Sequence, residues 1–298
     1  MGNGVLGRLA STLRGVAVES AWLAAHAALY PWGATAERLH PDGPYAHYRT
    51  DAMSPRARGL LVSAMDAAGT PILLLHGIGD IRPFRGVGAA LRRRGFGVVH
   101  AVNYSVLTAV TGDVRTAASM FGEQVEQVCE LTGADRVHVV GHSLGGLIAR
   151  YYVQRRGGDE RIDTLVTLGT PHRGTVAAYL MPTGLARQLR PGSQLLAELD
   201  EPAPGCRTRF VSVWTPADQI VLPQSNARLS HPDLDIEEHC LRDVGHWALP
   251  VDSRASRLVA GCLVRGHDRP SERATSQYDP LRTSPITHGH SASSELSS

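Results

Sequence analysis

The stretch Val137-His138-Val139-Val140-Gly141-His142-Ser143-Leu144-Gly145-Gly146 decides the fold. Val137 to Val140 is a short, mainly apolar run. It is too short for a helix and continuous enough for a strand buried on both faces. An amphipathic segment opens at Leu144 and runs to Arg156. Between the two lies a G-x-S-x-G match, in the strand–turn–helix setting that gives the pattern a mechanism. Such a turn holds the serine in a strained conformation with its Oγ exposed at the strand end, and Gly141 and Gly145 lack the Cβ atoms that would clash there. The helix behind it aims free N–H groups and the positive end of its dipole at charge developing in front of Ser143.

Outward from this turn the chain alternates. Further apolar runs at Ile72–Leu75, Val98–Val102, Thr164–Leu168 and Phe210–Trp214 read as parallel strands. Helical segments separate them at 84–94, 114–131 and 144–156, with another at 251–264. In the second, Val114, Ala118, Phe121, Val125 and Val128 share one stripe while Arg115, Glu123 and Glu126 face water. This pattern predicts an α/β fold with a mainly parallel, doubly wound sheet flanked by helices, whose chemistry sits in loops beyond the carboxyl ends of the strands.

The chain has 298 residues, 43% hydrophobic and 19% charged, enough for one full-sized domain with terminal extensions. The formal charge is only +2 and the densest basic run, Arg92-Arg93-Arg94, reads as the solvated end of a helix. A nucleic-acid partner is therefore not expected. Four cysteines, Cys129, Cys206, Cys240 and Cys262, stand far apart with no C-x-x-C pair, which argues against a zinc ribbon or redox motif. No apolar run reaches the ~18 residues of a membrane-spanning helix.

The expected organisation is an N-terminal helix and linker over 1–55, a catalytic domain over 56–266 and a disordered tail over 267–298. In the first segment Leu6, Leu9, Leu13, Val16, Ser20, Leu23 and Ala27 recur at helical steps. They fit a helix docked on the body, or one making peripheral membrane contact through residues 5–29. A signal peptide ending at Ala25-His26-Ala27 is a further alternative, weakened by Glu19 and the lack of an early positive cluster. A cytoplasmic or peripherally membrane-associated protein is favoured on this reading, with secretion left open. The tail is rich in Ser, Thr, Arg, His and Pro and has too few apolar positions to offset its ordering entropy. His288 and His290 within it read as solvated.

A serine hydroxyl is a poor nucleophile until a histidine removes its proton and an acid fixes that histidine's tautomer, which predicts an acid and then a histidine downstream of Ser143. Asp218 follows the run Phe210–Trp214, where a strand end would deliver a carboxylate to the catalytic face. Asp243 and Asp252 compete with it. His246 follows the β-like stretch Glu237–Leu241 and precedes the last helix, the loop position that a catalytic base needs. Its competitors are His231, beside Pro232 in a turn, and His239, inside the strand. Oxyanion donors are expected from the backbone N–H groups of Leu144 and of Ile78, in the loop His76-Gly77-Ile78-Gly79-Asp80. Gly79, His142, His172, Leu180 and Trp247 are the substrate-lining candidates, and His76 reads as a buttress of its loop.

Together His76-Gly77-Ile78-Gly79, Gly141-His142-Ser143-Leu144-Gly145-Gly146, Gly169-Thr170-Pro171-His172-Arg173-Gly174, Ala217-Asp218-Gln219-Ile220-Val221 and Gly245-His246 resemble the bacterial lipases and esterases of the α/β-hydrolase superfamily, in order, over about residues 70–265. The resemblance implies hydrolysis of carboxylic esters, lipid acyl esters foremost, through a serine-bound acyl intermediate and with no organic cofactor. It also implies that His172 is structural or substrate-lining. No Asp/His cluster has metal-ligand spacing, so no metal is expected. Only 175–199 could form a small cap. The same triad would serve an acyltransferase, a thioesterase or a lipid-anchor deacylase, and a non-catalytic binding protein on the same fold is the alternative from another class. The pattern carries no reading of oligomeric state.

Overall fold

A computed structural model describes residues 69–77, 84–96, 99–102 and 112–267. The expected N-terminal helix and linker, Ile78 and Gly79, and the tail beyond His267 lie outside these residues. The described strands are β1 (Ile72–Leu75), β2 (Val99–Val102), β3 (Val137–His142), β4 (Ile162–Leu168), β5 (Arg209–Trp214) and β6 (Asp235–Cys240). They form one sheet in the order β2-β1-β3-β4-β5-β6, parallel at every pairing.

Parallel neighbours need crossovers. Between β5 and β6 the connection holds only the 3-10 turn Gln224–Ala227; the α-helices supply the other crossovers or, for the last of them, follow β6. These helices are α1 (Phe84–Arg93), α2 (Val114–Thr132), α3 (Leu144–Arg155), the short α4 (Gly184–Gln188) and α5 (Gln194–Asp200), and α6 (Ser253–His267). Because strand side chains alternate, each buried strand feeds two cores. Leu73, Leu75, Val137, Val139 and Leu165 pack under α2 and α3 on one face. Ile72, Leu74, Val140, Val166 and Val211 pack with Phe84, Leu91, Val259 and Leu263 from α1 and α6 on the other. The strand order reverses between β1 and β3, which pair with Leu75 opposite Gly141. The loop leaving β1 therefore starts beside the turn that holds Ser143, at the kind of switch point where α/β sheets bind ligands.

Boundaries follow local chemistry. α2 starts where the Asp113 carboxylate accepts the N–H of Arg115 at 2.6 Å and stops at Gly133, in the left-handed region at φ 71°. α6 begins at Ser253, two residues after the sequence expectation, because Asp252 caps it by accepting the N–H groups of Arg254 (2.7 Å) and Ala255 (3.2 Å). Among the described residues no helix is long and apolar enough to cross a membrane.

The expected cap divides in two. Leu185, Leu195, Leu196 and Leu199 of α4 and α5 are buried in the core beneath α3, which is ordinary helix packing. The single turn Val176–Leu180 before them behaves differently: Val176, Tyr179, Leu180 and Met181 are all exposed, Leu180 to 86%.

Candidate active site

Ser143 stands between β3 and α3 with φ 54° and ψ −125°, one of two non-glycine residues at positive φ among the described residues. An L-residue avoids this conformation at a cost of about 1–3 kcal/mol, so the surroundings must enforce it. They do so through close backbone contact. A Cβ on Gly145 would lie 2.2 Å from the Leu75 carbonyl oxygen, so only glycine lets α3 start this near to β1. The Ser143 N–H is held by the Leu168 carbonyl at 2.9 Å. Leu144 opens α3, so its N–H has no acceptor within the helix. Gly77, the last described residue of the loop after β1, lies against it: a Cβ there would be 3.0 Å from the Leu144 nitrogen.

Asp218 and His246 come from loops after β5 and β6 and meet in the interior. Asp218 Oδ2 is 2.8 Å from His246 Nδ1, and both side chains are 0% exposed. The other carboxylate oxygen accepts the N–H groups of Ile220 (2.8 Å) and Val221 (2.7 Å). A carboxylate fixed in this way presents one oxygen to the ring, which puts the imidazole proton on Nδ1 and the lone pair on Nε2. His246 Nε2 has no hydrogen-bond partner among the described residues.

The turn holding Ser143 and the loop holding His246 are linked through the residue before Ser143. His142 Nε2 lies 3.0 Å from the His246 carbonyl oxygen, and their rings sit 4.8 Å apart. A neutral His142 donates this bond. Burial holds its basicity well below the ordinary imidazole range, the nearby His246 and His76 push the same way, and only the bond to the His246 carbonyl opposes them. Trp247 packs edge-on against both rings, at 5.4 Å from His246 and 6.1 Å from His142. Of the expected lining residues these two border the site. Leu180 lies on the exposed turn, which is tied to the acid loop by Val176 N–H to the Leu222 carbonyl (2.9 Å) and Thr175 Oγ to the Ile220 carbonyl (2.6 Å).

His172 is buried in a supporting position. Its Nε2 is 3.0 Å from Thr167 Oγ1, and its carbonyl accepts from the buried Arg150 at 3.1 Å. Desolvation, with Arg150 and Arg173 nearby, keeps this ring neutral. Arg150 also donates to the Leu199 carbonyl (2.9 Å), so it joins the loop after β4 to the end of α5. Its guanidinium is brought down to about 10 by burial.

Three of the four competing residues are engaged elsewhere. Asp252 caps α6 and pairs with Arg254. Asp243 is exposed at φ 62°. His231 binds the Glu201 carbonyl at 3.0 Å, and His239 binds Glu237 at 2.6 Å.

Two residues at the centre of the arrangement were given no role of their own from sequence. Gly169, at φ 56°, brings its α-carbon against the Asp218–His246 pair. Thr215 donates from its hydroxyl to the Val244 carbonyl at 2.6 Å and accepts the Ala217 N–H at 3.1 Å, which joins the acid loop to the histidine loop. Gly169 had a signal in its Gly-Thr-Pro setting after a strand. Thr215 had none, since one threonine after a strand is unremarkable.

Known proteins carry the same signals. The family model of palmitoyl protein thioesterase matches residues 71–199. A triacylglycerol lipase of Burkholderia plantarii is 31% identical over 153 residues, covering 46% of this chain and 40% of that protein. One from Pseudarthrobacter phenanthrenivorans is 30% identical over 130 residues, covering 39% and 40%. The chain thus spans less than half the length of these curated relatives. Among solved structures, the mature form of Bacillus licheniformis lipase BlEst2 superposes with a TM-score of 0.54 at 16% identity, over 67% of this chain and 93% of that one. Aspergillus fumigatus lipase B gives 0.52 at 16% identity, over 72% and 62%. The chain therefore has the α/β-hydrolase fold of these lipases and is similar, over part of its length, to the thioesterase family model and to triacylglycerol lipases.

Proposed function

We propose that this protein hydrolyses carboxylic esters, lipid acyl esters in particular, with Ser143 as nucleophile, His246 as general base and acid, and Asp218 as the group that orients His246. The observation that carries the reading is the buried Asp218–His246 bond, with Nε2 left for a hydroxyl, at the same end of the sheet as the strained Ser143. Ser143 Oγ attacks the acyl carbon while His246 Nε2 takes its proton. The tetrahedral intermediate collapses to a serine ester as that proton passes to the departing alcohol. Water repeats the sequence and releases the acid. Negative charge on the carbonyl oxygen is held by the Leu144 N–H. The second donor, the N–H of Ile78, rests on the sequence alone; Gly77, the last described residue before it, lies close enough to Leu144 that a Cβ there would be 3.0 Å from its nitrogen. The exposed apolar turn at 176–181 favours a lipid ester.

Thioester cleavage by the same residues is the second reading, favoured by the thioesterase family model over residues 71–199. One assay separates the readings: p-nitrophenyl esters from acetyl to palmitoyl beside the matching acyl-CoA thioesters, for wild type and Ser143→Ala. Turnover of esters by wild type alone is the expected result, and a preference for long chains supports lipid substrates. Turnover of thioesters in place of esters would move the assignment to a thioesterase. Equal activity of the two proteins would remove Ser143 from its role, and equal silence would mean that Ser143 is not the nucleophile or that neither ester nor thioester is the substrate.

A further inference from the structure

We propose that Glu237, His239 and Cys262 form a site for a soft divalent cation of the zinc type, at the edge of the sheet between β6 and α6. Their ligating atoms all lie within 4.8 Å of one another. Glu237 and His239 are two apart on β6 and so share one face of the strand. That face is turned to α6, where the Cys262 thiol lies 4.0 Å from His239 Nε2. The two strand residues are half-buried and the cysteine is buried, so one side of the cluster stays open to a water ligand.

The donor set selects the ion. A thiolate, an imidazole and a carboxylate suit zinc, whereas calcium and magnesium want oxygen ligands alone. Zinc–ligand bonds of ~2.0–2.3 Å in a tetrahedron put neighbouring donors roughly 3.3–3.7 Å apart. The sulfur–nitrogen pair is already near that spacing. Glu237 Oε1 and His239 Nε2, now 2.6 Å apart, must open by about 1 Å, a rotamer adjustment for two half-buried side chains. Binding also requires the Cys262 thiol to lose its proton, which goes to solvent.

Arg209 prepares the carboxylate. Its NH2 pairs with Glu237 Oε2 and its NH1 donates to the Cys262 carbonyl at 2.8 Å. One oxygen of Glu237 is thus held from outside the cluster while Oε1 points inward, as partners behind a metal ligand commonly do. Spacing along the chain hides such a site, because two ligands come from a strand and the third from a helix 23 residues on. The same two elements flank the loop carrying His246, so a bound ion would clasp them and stabilise the folded state.

The test uses the full-length, metal-free protein titrated with Co2+ and followed by absorption, then back-titrated with Zn2+. The expected result is one equivalent bound with a thiolate-to-cobalt charge-transfer band, displaced by zinc, and a melting temperature raised by zinc. The band should be lost in Cys262→Ser, strongly weakened in His239→Gln and kept in Cys240→Ser. Requiring the thiolate band separates this site from any binding by histidines elsewhere. No thiolate band in wild type, or a band that persists in Cys262→Ser, would overturn the proposal. Should the buried serine variant fail to fold, an unchanged band in His239→Gln overturns it equally.

Discussion

A Cβ on Gly169 would stand 3.2 Å from His246 Nδ1, against the nitrogen that faces Asp218. It would also be 3.3 Å from Asp218 Oδ2, on a backbone at φ 56° where a side chain is strained in any case. Gly169→Ala should therefore push the ring out of line rather than unfold the sheet. Small misplacements of a reacting group are costly, up to about 100-fold per ångström. We expect kcat to fall at least about 10-fold with KM little changed, by ester hydrolysis on a variant shown folded by circular dichroism. Wild-type kcat in a folded Gly169→Ala protein would show that the contact does not position His246.

Asp218→Asn tests the orienting role proposed for this carboxylate. An asparagine Oδ1 can still accept the N–H groups of Ile220 and Val221, so the loop should survive. An amide nitrogen facing His246 Nδ1 favours the tautomer with the proton on Nε2, where it cannot take one from Ser143. The expected loss in kcat is about 1000- to 10 000-fold, with a melting temperature close to that of wild type. A loss below about 10-fold would mean that another acid serves His246.

Thr215 should matter to stability before it matters to rate. Valine in its place leaves the Val244 carbonyl and the Ala217 N–H without their partner in a buried position. Such orphaned groups cost about 1–3 kcal/mol. Urea denaturation should report a loss of that size for Thr215→Val and near-complete recovery in Thr215→Ser, whose hydroxyl can make both bonds. If serine and valine destabilise equally, the methyl packing and not the hydroxyl is what holds the two loops.

The sequence was most legible where period and punctuation coincide. β1 falls on Ile72–Leu75 as read, and α3 starts at the expected Leu144, because buried parallel strands are uninterrupted apolar runs and the turn between β3 and α3 has few alternatives. β6 was harder. It is an edge strand of Asp235-Ile236-Glu237-Glu238-His239-Cys240 with no fully buried residue, so neither alternation nor an apolar run marks it, and its expected start was two residues late. Asp218 and His246 could be named as a pair because each follows a strand in the required order. The bonds that set their geometry, from Thr215, His142 and Gly169, join residues far apart in the chain, and no local pattern records such contacts.

Stability should fall on mild acidification, and two of the buried histidines, His142 and His172, contribute to that fall with a defined sign. Burial is the main cause holding His142 and His172 well below the ordinary imidazole value, so both stay neutral in the folded protein. In the unfolded chain they take up protons below about pH 6.5. The unfolded state then binds more protons than the native one, so stability is full above that pH and declines as pH drops below it. Each histidine contributes a slope of up to about 1.4 kcal/mol per pH unit. Carboxylates whose acidity is strengthened by arginines, such as Glu198 beside Arg115 and Asp252 beside Arg254, lose their contribution only as pH falls below their own ordinary range near 4. The interval from pH 6.5 down to 5 therefore reports on the histidines. His172→Gln keeps an amide within reach of the Thr167 hydroxyl but cannot titrate. Urea denaturation from pH 7.5 to 5 should give a clear loss of stability in wild type and a shallower one in His172→Gln. Parallel curves would show that His172 accepts its proton within the folded protein, and that its burial does not set the acid limit of this fold.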